Sequence, residues 1–149
     1  MSYKKAEAYY NKGTVEFQRG NLDQALKYLL KSLKLNPLDV ETYANIGAVY
    51  MKKGNFQKVI DICNEAIKVD PNHIAGYANK GMAYVYQGDL DKGIESLKEA
   101  LKIAPDDSQI QNLISNLVKQ KEVRNQLIPE EDTISNRAKE MLQKVFILF

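Results

Sequence analysis

The segment 43–54, YANIGAVYMKKG, carries the pattern that decides the fold. Tyr43, Ile46, Gly47 and Tyr50 recur at i, i+3, i+4 and i+7, which places them on one face of a helix. Gly54 follows, and glycine readily adopts the left-handed conformation in which many helices end. The segment therefore predicts an amphipathic helix that stops at a glycine turn.

The residues after this turn predict a second helix. Asn55 is a residue type that caps helices, and Pro71 cannot continue one. Between them, apolar residues again recur at helical spacing: Val59, Ile62, Cys63, Ala66, Ile67 and Val69. The predicted unit is a helical hairpin.

This hairpin pattern occurs three times at a step of 34 residues. The recurring positions are Tyr9, Tyr43 and Tyr77; Gly13, Gly47 and Gly81; Gly20, Gly54 and Gly88; and Pro37, Pro71 and Pro105. A fixed period of this length is typical of stacked helical repeats. The sequence therefore predicts an all-α fold that builds a surface for holding another chain.

One series of glycines falls inside the predicted helices. Gly13, Gly47 and Gly81 each lower helix propensity by about 1 kcal/mol relative to alanine. We expect close approach of the paired helix at these positions, with small residues facing the glycines. The candidates are Ser32, Ala66 and Ala100.

Composition and charge argue against several classes of function. The 149 residues fit one compact domain, and 21 Lys and Arg against 19 Asp and Glu leave a net charge of only +2, which does not predict nucleic-acid binding. Cys63 and His73 are the only residues of their types, so no disulfide, metal set or catalytic dyad is predicted. We expect no cofactor and no enzymatic activity. No apolar run approaches the length of a membrane span, and a cytoplasmic location is expected.

The segment 43–50, YANIGAVY, resembles the tetratricopeptide motif W-x₂-L-G-x₂-Y, with Tyr43 in place of tryptophan. The resemblance implies a right-handed superhelix of three repeats, about 6–39, 40–73 and 74–107, followed by a capping helix over 107–128. Residues 1–128 would form one domain, with a further amphipathic helix over 129–149. Several positions depart from the motif: Lys12, Glu16, Val59, Lys80 and Gly93.

Stacked repeats of this kind line a concave groove with the first helix of each pair. The residues predicted to form a peptide-binding groove are Tyr10, Asn11, Thr14, Phe17, Asn45, Ala48, Met51, Asn79, Met82, Val85 and Tyr86. Asn11, Asn45 and Asn79 would form a ladder of amides able to hold a peptide backbone, or they would simply be solvated. The apolar residues suit an amphipathic helix laid into the groove.

The best-known ligand of the family is the acidic tail of heat-shock chaperones, held by a clamp of two lysines, two asparagines and an arginine. Only Asn45 matches that clamp here. The other four positions hold Tyr10, Thr14, Ala75 and Asn79. Because a carboxylate needs partner cations, the sequence argues against a chaperone tail as the ligand.

The segment 129–149 predicts a last amphipathic helix, and three fates stay open for it. It could fold onto its own repeats, including the groove; it could join a second copy as a homodimer; or it could lie on a membrane surface. Its four acids against three bases make the membrane fate the weakest. The predicted function is a non-catalytic adaptor that binds a protein or peptide partner, with self-assembly through 130–149 as the alternative.

Overall fold

The computed structural model describes residues 2–127 and 131–147, with side chains over 2–127 and 136–145. These ranges contain helices and no strand, which confirms the all-α prediction. The helices are α1 (Ser2–Gln18), α2 (Leu22–Leu35), α3 (Val40–Lys52), α4 (Phe56–Val69), α5 (Ile74–Tyr86), α6 (Leu90–Ile103), α7 (Ser108–Leu127) and α8 (Glu131–Ile147). The chain divides into two compact units, Met1–Ile114 and Ser115–Phe149.

The three hairpins turn at the glycines that the sequence marked. Gly20, Gly54 and Gly88 have φ angles of +81°, +70° and +87°, a region that other residues rarely adopt. Asn55 caps α4 as predicted, because its side-chain oxygen accepts a hydrogen bond of 3.3 Å from the backbone N–H of Lys58. The equivalent Asn21 makes no such cap and donates instead to Glu16 over 2.7 Å.

Each hairpin packs on the next within the first unit. The helices pair as α1 with α2, α3 with α4 and α5 with α6, while α2 contacts α3 and α4 contacts α5. Two clusters of buried apolar residues lie between these layers: Ala25, Leu29, Ile46 and Val49 form the first, and Val59, Ile60, Cys63 and Ala83 the second. Each cluster combines residues of successive repeats, so the repeats are held together by a shared core.

Two of the three helix-interior glycines lie in close contact with the paired helix. A Cβ atom added at Gly13 would lie 2.6 Å from Cγ of Leu29, and one added at Gly81 would lie 2.9 Å from the carbonyl oxygen of Gly93. At Gly47 the nearest atom, Cγ2 of Ile62, would be 3.5 Å away, which is ordinary contact. Close approach is therefore confirmed at Gly13 and Gly81 and wrong at Gly47.

The expected small partner surface is also wrong. The atoms nearest the added Cβ positions belong to Leu29, Ile62, Gly93 and Leu97, and none belongs to Ser32, Ala66 or Ala100. Ser32 has a different role, because its hydroxyl donates a buried hydrogen bond of 2.7 Å to the carbonyl of Ala6. The departure at Gly93 has a physical reason: a Cβ there would lie 2.6 Å from Cγ2 of Val85.

Stacking buries a second row of residues on the first helices. Thr42 and Val49 of α3 are fully buried, as is Ala83 of α5. The residue of α1 equivalent to Val49 and Ala83 is Val15, which is 41% exposed. The difference arises because the second and third hairpins are each covered by a preceding one, and α1 has none before it among the described residues.

The recurring tyrosines join successive repeats. The hydroxyl of Tyr43 donates 3.0 Å to the carbonyl of Pro37, and Tyr77 donates 3.1 Å to that of Pro71. At the next step along the chain, Gln111 Nε2 donates 2.7 Å to the carbonyl of Pro105. Tyr43 and Tyr77 therefore each hold a first helix to the loop that precedes it.

The described part of α8 carries an apolar stripe that is open to solvent. Met141, Leu142 and Val145 are 69%, 66% and 53% exposed. The predicted helix start at Pro129 and Glu130 and the end at Leu148 and Phe149 lie outside the described residues. Among the described helices, none is long and apolar enough to cross a membrane. The capping role of 107–128 and the domain boundary at 128 stay predictions.

Candidate protein-binding face

The first helices of the three hairpins share one face. Besides pairing with their own second helices, α1 contacts α3, and α3 contacts α5. We call their shared surface the first-helix face. It is defined by the predicted groove residues Tyr10, Asn11, Thr14, Phe17, Asn45, Ala48, Met51, Asn79, Met82, Val85 and Tyr86. Asn11 and Tyr86 are exposed, and the other nine are half-buried.

A hydrogen bond crosses this face between the first two repeats. Asn45 Nδ2 on α3 donates 2.9 Å to the hydroxyl oxygen of Tyr10 on α1. The amide donors of Asn45 are therefore partly committed within the protein, while its side-chain oxygen and the Tyr10 hydroxyl proton keep hydrogen-bonding capacity. Sequence reasoning placed both residues on this face and missed the bond between them.

The three asparagines are not equivalent. Asn11 is exposed, and its backbone carbonyl accepts a hydrogen bond of 2.9 Å from the Thr14 hydroxyl. Asn79 is half-buried, and no side-chain hydrogen bond joins it to another residue with a described side chain. Only Asn45 is held by a partner from the neighbouring repeat, so the predicted ladder has three different environments.

Part of the apolar surface of this face belongs to the core. Tyr10 and Phe17 pack against the first buried cluster, and Met51 packs against the second. Between them lie Ala44, Ala48 and Ala78, which are also half-buried. Since alanine side chains are short, they leave room for a partner backbone or side chain to approach the helices closely.

Aromatic rings lie at one edge of the face. The ammonium of Lys52 lies 5.0 Å from the centre of the Phe17 ring, which is the geometry of a cation–π contact. In the next repeat, Tyr86 is 58% exposed and stacks on Phe56, with ring centres 5.1 Å apart and planes at 14°. The rings of Phe17 and Tyr86 therefore form an apolar edge of the face, with the Lys52 ammonium and the Tyr86 hydroxyl beside them.

Charge on the face is sparse: besides Lys52 at the end of α3, it consists of two acids near the helix starts. Glu7 on α1 and Glu41 on α3 are 34 residues apart and occupy equivalent positions, and both are exposed. Neither forms an ion pair with the described side chains. The equivalent residue in the third repeat is Ala75. The first-helix face is therefore mainly uncharged, with one acid near the start of α1 and one near the start of α3.

Two polar contacts beside the glycine turns were not predicted from the sequence. Lys53 Nζ lies 2.5 Å from Asp23 Oδ1, and one repeat later Gln87 Nε2 lies 3.4 Å from Gln57 Oε1. Both pairs are 30 residues apart and join the end of a first helix to the start of the preceding second helix. The sequence signal that could have revealed these contacts is the constant spacing of 30 residues between side chains able to pair.

Residues that could carry chemistry are few and separated. Cys63 is buried, and burial raises the pKa of its thiol to about 11, while the charge of Lys80 acts weakly in the opposite direction. A thiol with that pKa stays protonated and unreactive near neutral pH. Within the described ranges, no group of three His, Cys, Asp or Glu residues could hold a metal ion.

The match to a family model agrees with this architecture. Residues 6–38, 40–73 and 74–107 each match the tetratricopeptide repeat model. The chain belongs to the tetratricopeptide repeat family. The helices α1 to α6 form these three repeats.

Solved structures of tetratricopeptide domains share the fold. The chain is similar to the Arabidopsis OM64 tetratricopeptide domain with a TM-score of 0.75 and 19% identity, over 80% of this chain and 99% of that one. It resembles the TPR2B domain of yeast Sti1, from a complex with pHsp70, with a TM-score of 0.71 and 27% identity, over 78% and 98%.

A further similar structure is the first tetratricopeptide domain of Spaghetti (RPAP3) bound to the HSP90 peptide SRMEEVD. The TM-score is 0.74 and the identity 19%, over 79% of this chain and 94% of that one. A search among curated proteins finds no significant match.

Proposed function

We propose that this chain is a non-catalytic adaptor that binds an amphipathic helix or peptide of a protein partner on its first-helix face, in the cytoplasm. The observation that carries the proposal is the character of that face. Three helices in register present a mainly uncharged, partly apolar surface whose side chains remain half accessible. A protein partner suits such a surface better than a small molecule does, because the surface extends across three repeats.

The family supports a role in protein–protein interaction. The first tetratricopeptide domain of Spaghetti (RPAP3) binds an HSP90 peptide, and the second domain of human RPAP3 is in complex with the HSP70 peptide SGPTIEEVD. These are properties of those proteins. They support binding of some polypeptide here, and the residues of this chain decide which kind.

An acidic tail is not the ligand that these residues favour. Tyr10, Thr14, Ala75 and Asn79 stand at the positions where the family's clamp has its other lysines, asparagine and arginine. The remaining clamp residue, Asn45, has its amide directed to Tyr10. Without the lysines and the arginine of the clamp, the face would leave a carboxylate poorly paired. Ala44, Ala48 and Ala78 instead favour close contact with an apolar helix face.

The proposal is tested by blocking the face with bulky charge. Ala48→Arg with Ala78→Arg places two arginines between the half-buried apolar residues, and Ala8→Arg changes an exposed alanine of α1 outside the face. Each tagged protein is used to capture partners, with circular dichroism to verify the helical content. We expect partners of the unchanged protein to be lost with the double variant and kept with Ala8→Arg. Retention of every partner by a folded double variant would refute the proposal.

The exposed stripe of α8 favours a second candidate function. Met141, Leu142 and Val145 present apolar surface that a helix in water does not leave open without cost. Self-assembly through this helix would cover them. Light scattering over a range of protein concentrations, with and without residues 130–149, tests this candidate, since a dimer that persists without them would contradict it.

A further inference from the structure

We infer that α8 of a second copy of this chain is a ligand of the first-helix face. This inference rests on the proposed function, because it names one occupant for the same face. It is an interaction between copies, in which α8 of each copy lies across α1 and α3 of the other.

The described part of α8 has the form of a groove-binding helix. Ala138, Met141, Leu142 and Val145 recur at i, i+3, i+4 and i+7 and make one apolar stripe of exposed residues. Such a stripe is the feature by which helices bind in apolar grooves. The described side chains of 136–145 include three bases, Arg137, Lys139 and Lys144, and one acid, Glu140.

Two of these bases lie on the same flank of the stripe. Arg137 and Lys144 are seven residues apart, which is close to two helical turns, so they align along the helix. At about 1.5 Å per residue, their positions along the axis differ by about 10 Å. The helix therefore presents an apolar stripe bordered by two cations about 10 Å apart.

The first-helix face presents the matching pattern. Glu7 and Glu41 are exposed, lie at equivalent positions of neighbouring helices and form no ion pair with the described side chains. Packed helices have axes about 8–10 Å apart. Two acids on adjacent first helices thus border the apolar part of the face, at a spacing of about 10 Å that is comparable to that of Arg137 and Lys144.

A second copy completes both surfaces. Met141, Leu142 and Val145 are each more than half exposed, and the first-helix face of a second copy would cover them. If two copies exchange α8, each supplies one helix and one face, and the contact is closed and symmetric. Burial of the stripe would supply most of the affinity, and the paired charges would set the position of the helix.

Charge reversal tests this arrangement in the full-length protein. One variant carries Arg137→Glu with Lys144→Glu, and the other carries Glu7→Lys with Glu41→Lys. Each variant alone places like charges together, and we expect its dimer dissociation constant to rise roughly tenfold or more. In an equimolar mixture of the two variants, the acidic α8 of the first variant can bind the basic face of the second. The basic α8 of the second variant can likewise bind the acidic face of the first. We expect this mixture to form a heterodimer about as tight as the unchanged dimer.

The readout is analytical ultracentrifugation at several concentrations, with Lys139→Glu as a control on the opposite flank of α8. A monomeric unchanged protein, single variants that dimerise normally, or a mixture that does not recover would each overturn the inference. Failure of this inference can be distinguished from failure of the proposed function. If the unchanged protein is monomeric and Ala48→Arg with Ala78→Arg still abolishes partner capture, the face binds another ligand and only the α8 assignment is wrong.

Discussion

Asn45 Nδ2 on α3 donates a 2.9 Å hydrogen bond to the hydroxyl of Tyr10 on α1, across the face that we propose as the binding surface. Both side chains are half-buried, and the Tyr10 ring packs against the core cluster of Leu29, Ile46 and neighbouring residues. The bond therefore joins two repeats and also fixes the position of a polar group on that face. Position 10 holds a lysine in the family's carboxylate clamp, and tyrosine here replaces a cation with a neutral partner for Asn45.

The Asn45–Tyr10 bond predicts energetic coupling between the first two repeats. Tyr10→Phe and Asn45→Ala should each destabilise the protein by about 0.5–1.5 kcal/mol, the net value of a typical hydrogen bond. In a double-mutant cycle their effects should be non-additive by a similar amount. Urea unfolding measures all four proteins. Tyr43→Phe, which removes an exposed bond to Pro37, serves as the matched control and should not couple to Asn45→Ala. Strict additivity of Tyr10→Phe and Asn45→Ala would contradict the prediction.

The glycines of equivalent register predict opposite responses to alanine. Gly81→Ala should destabilise by about 1–3 kcal/mol, because the new Cβ would lie 2.9 Å from a backbone oxygen of Gly93 that has little freedom to shift. Gly47→Ala should stabilise by up to about 1 kcal/mol, because its nearest neighbour would be 3.5 Å away and alanine favours the helix. Thermal and urea unfolding compare the two variants, and effects of the same sign would refute the packing explanation.

The start of α5 predicts a stabilising substitution. Asp39 and Asp107 occupy the equivalent position at the other repeat junctions and accept hydrogen bonds from backbone N–H groups, at 3.2 Å from Glu41 and at 3.0 Å from Gln109. His73 makes no capping bond, and its Nδ1 is buried without a hydrogen-bond partner among the described groups. His73→Asp should therefore stabilise by about 1 kcal/mol near neutral pH.

The control for that substitution is His73→Ala, which removes the imidazole without supplying a cap. We expect its unfolding midpoint in urea to lie below that of His73→Asp by an amount equivalent to about 1 kcal/mol. Equal midpoints for the aspartate and alanine variants would show that capping is not the reason for any gain.

The absence of clamp residues predicts a gain of function. The unchanged protein should bind the peptide SRMEEVD weakly, since the first-helix face lacks the cations that hold a carboxylate. The combined change Tyr10→Lys, Thr14→Asn, Ala75→Lys and Asn79→Arg supplies them while Asn45 is retained. Affinity should then rise by roughly tenfold or more, as expected for about 1.5 kcal/mol of charge-assisted bonding.

Fluorescence anisotropy with a labelled peptide measures this gain. A peptide with an amidated C-terminus and with asparagine and glutamine in place of its acids is the control and should bind both proteins equally weakly. Strong binding of SRMEEVD by the unchanged protein would show that the face holds acidic tails without the clamp.

Much of the fold follows from local chemistry that one sequence displays. Gly20, Gly54 and Gly88 mark the turns because only glycine adopts their positive φ at little cost. Proline at 37, 71 and 105 ends the second helices because its ring cannot continue them. These effects involve neighbours in the chain, so they can be read without knowing what lies across the fold. Helical periodicity, together with the geometry of stacked repeats, predicts the side on which Tyr10, Asn45 and Asn79 lie.

The interactions between repeats depend on distances that the chain order does not contain. The asparagine series has one spacing of 34 residues, yet only Asn45 finds a hydroxyl within reach. The glycine series also has one spacing, yet Gly81 is close to a backbone carbonyl and Gly47 is not. By itself, the sequence determined the hairpins, their number and the helix faces, because periodicity and turn chemistry are local. Only the tertiary structure decided which equivalent residues are buried, paired or open to a ligand, because each of those states depends on atoms supplied by a neighbouring helix.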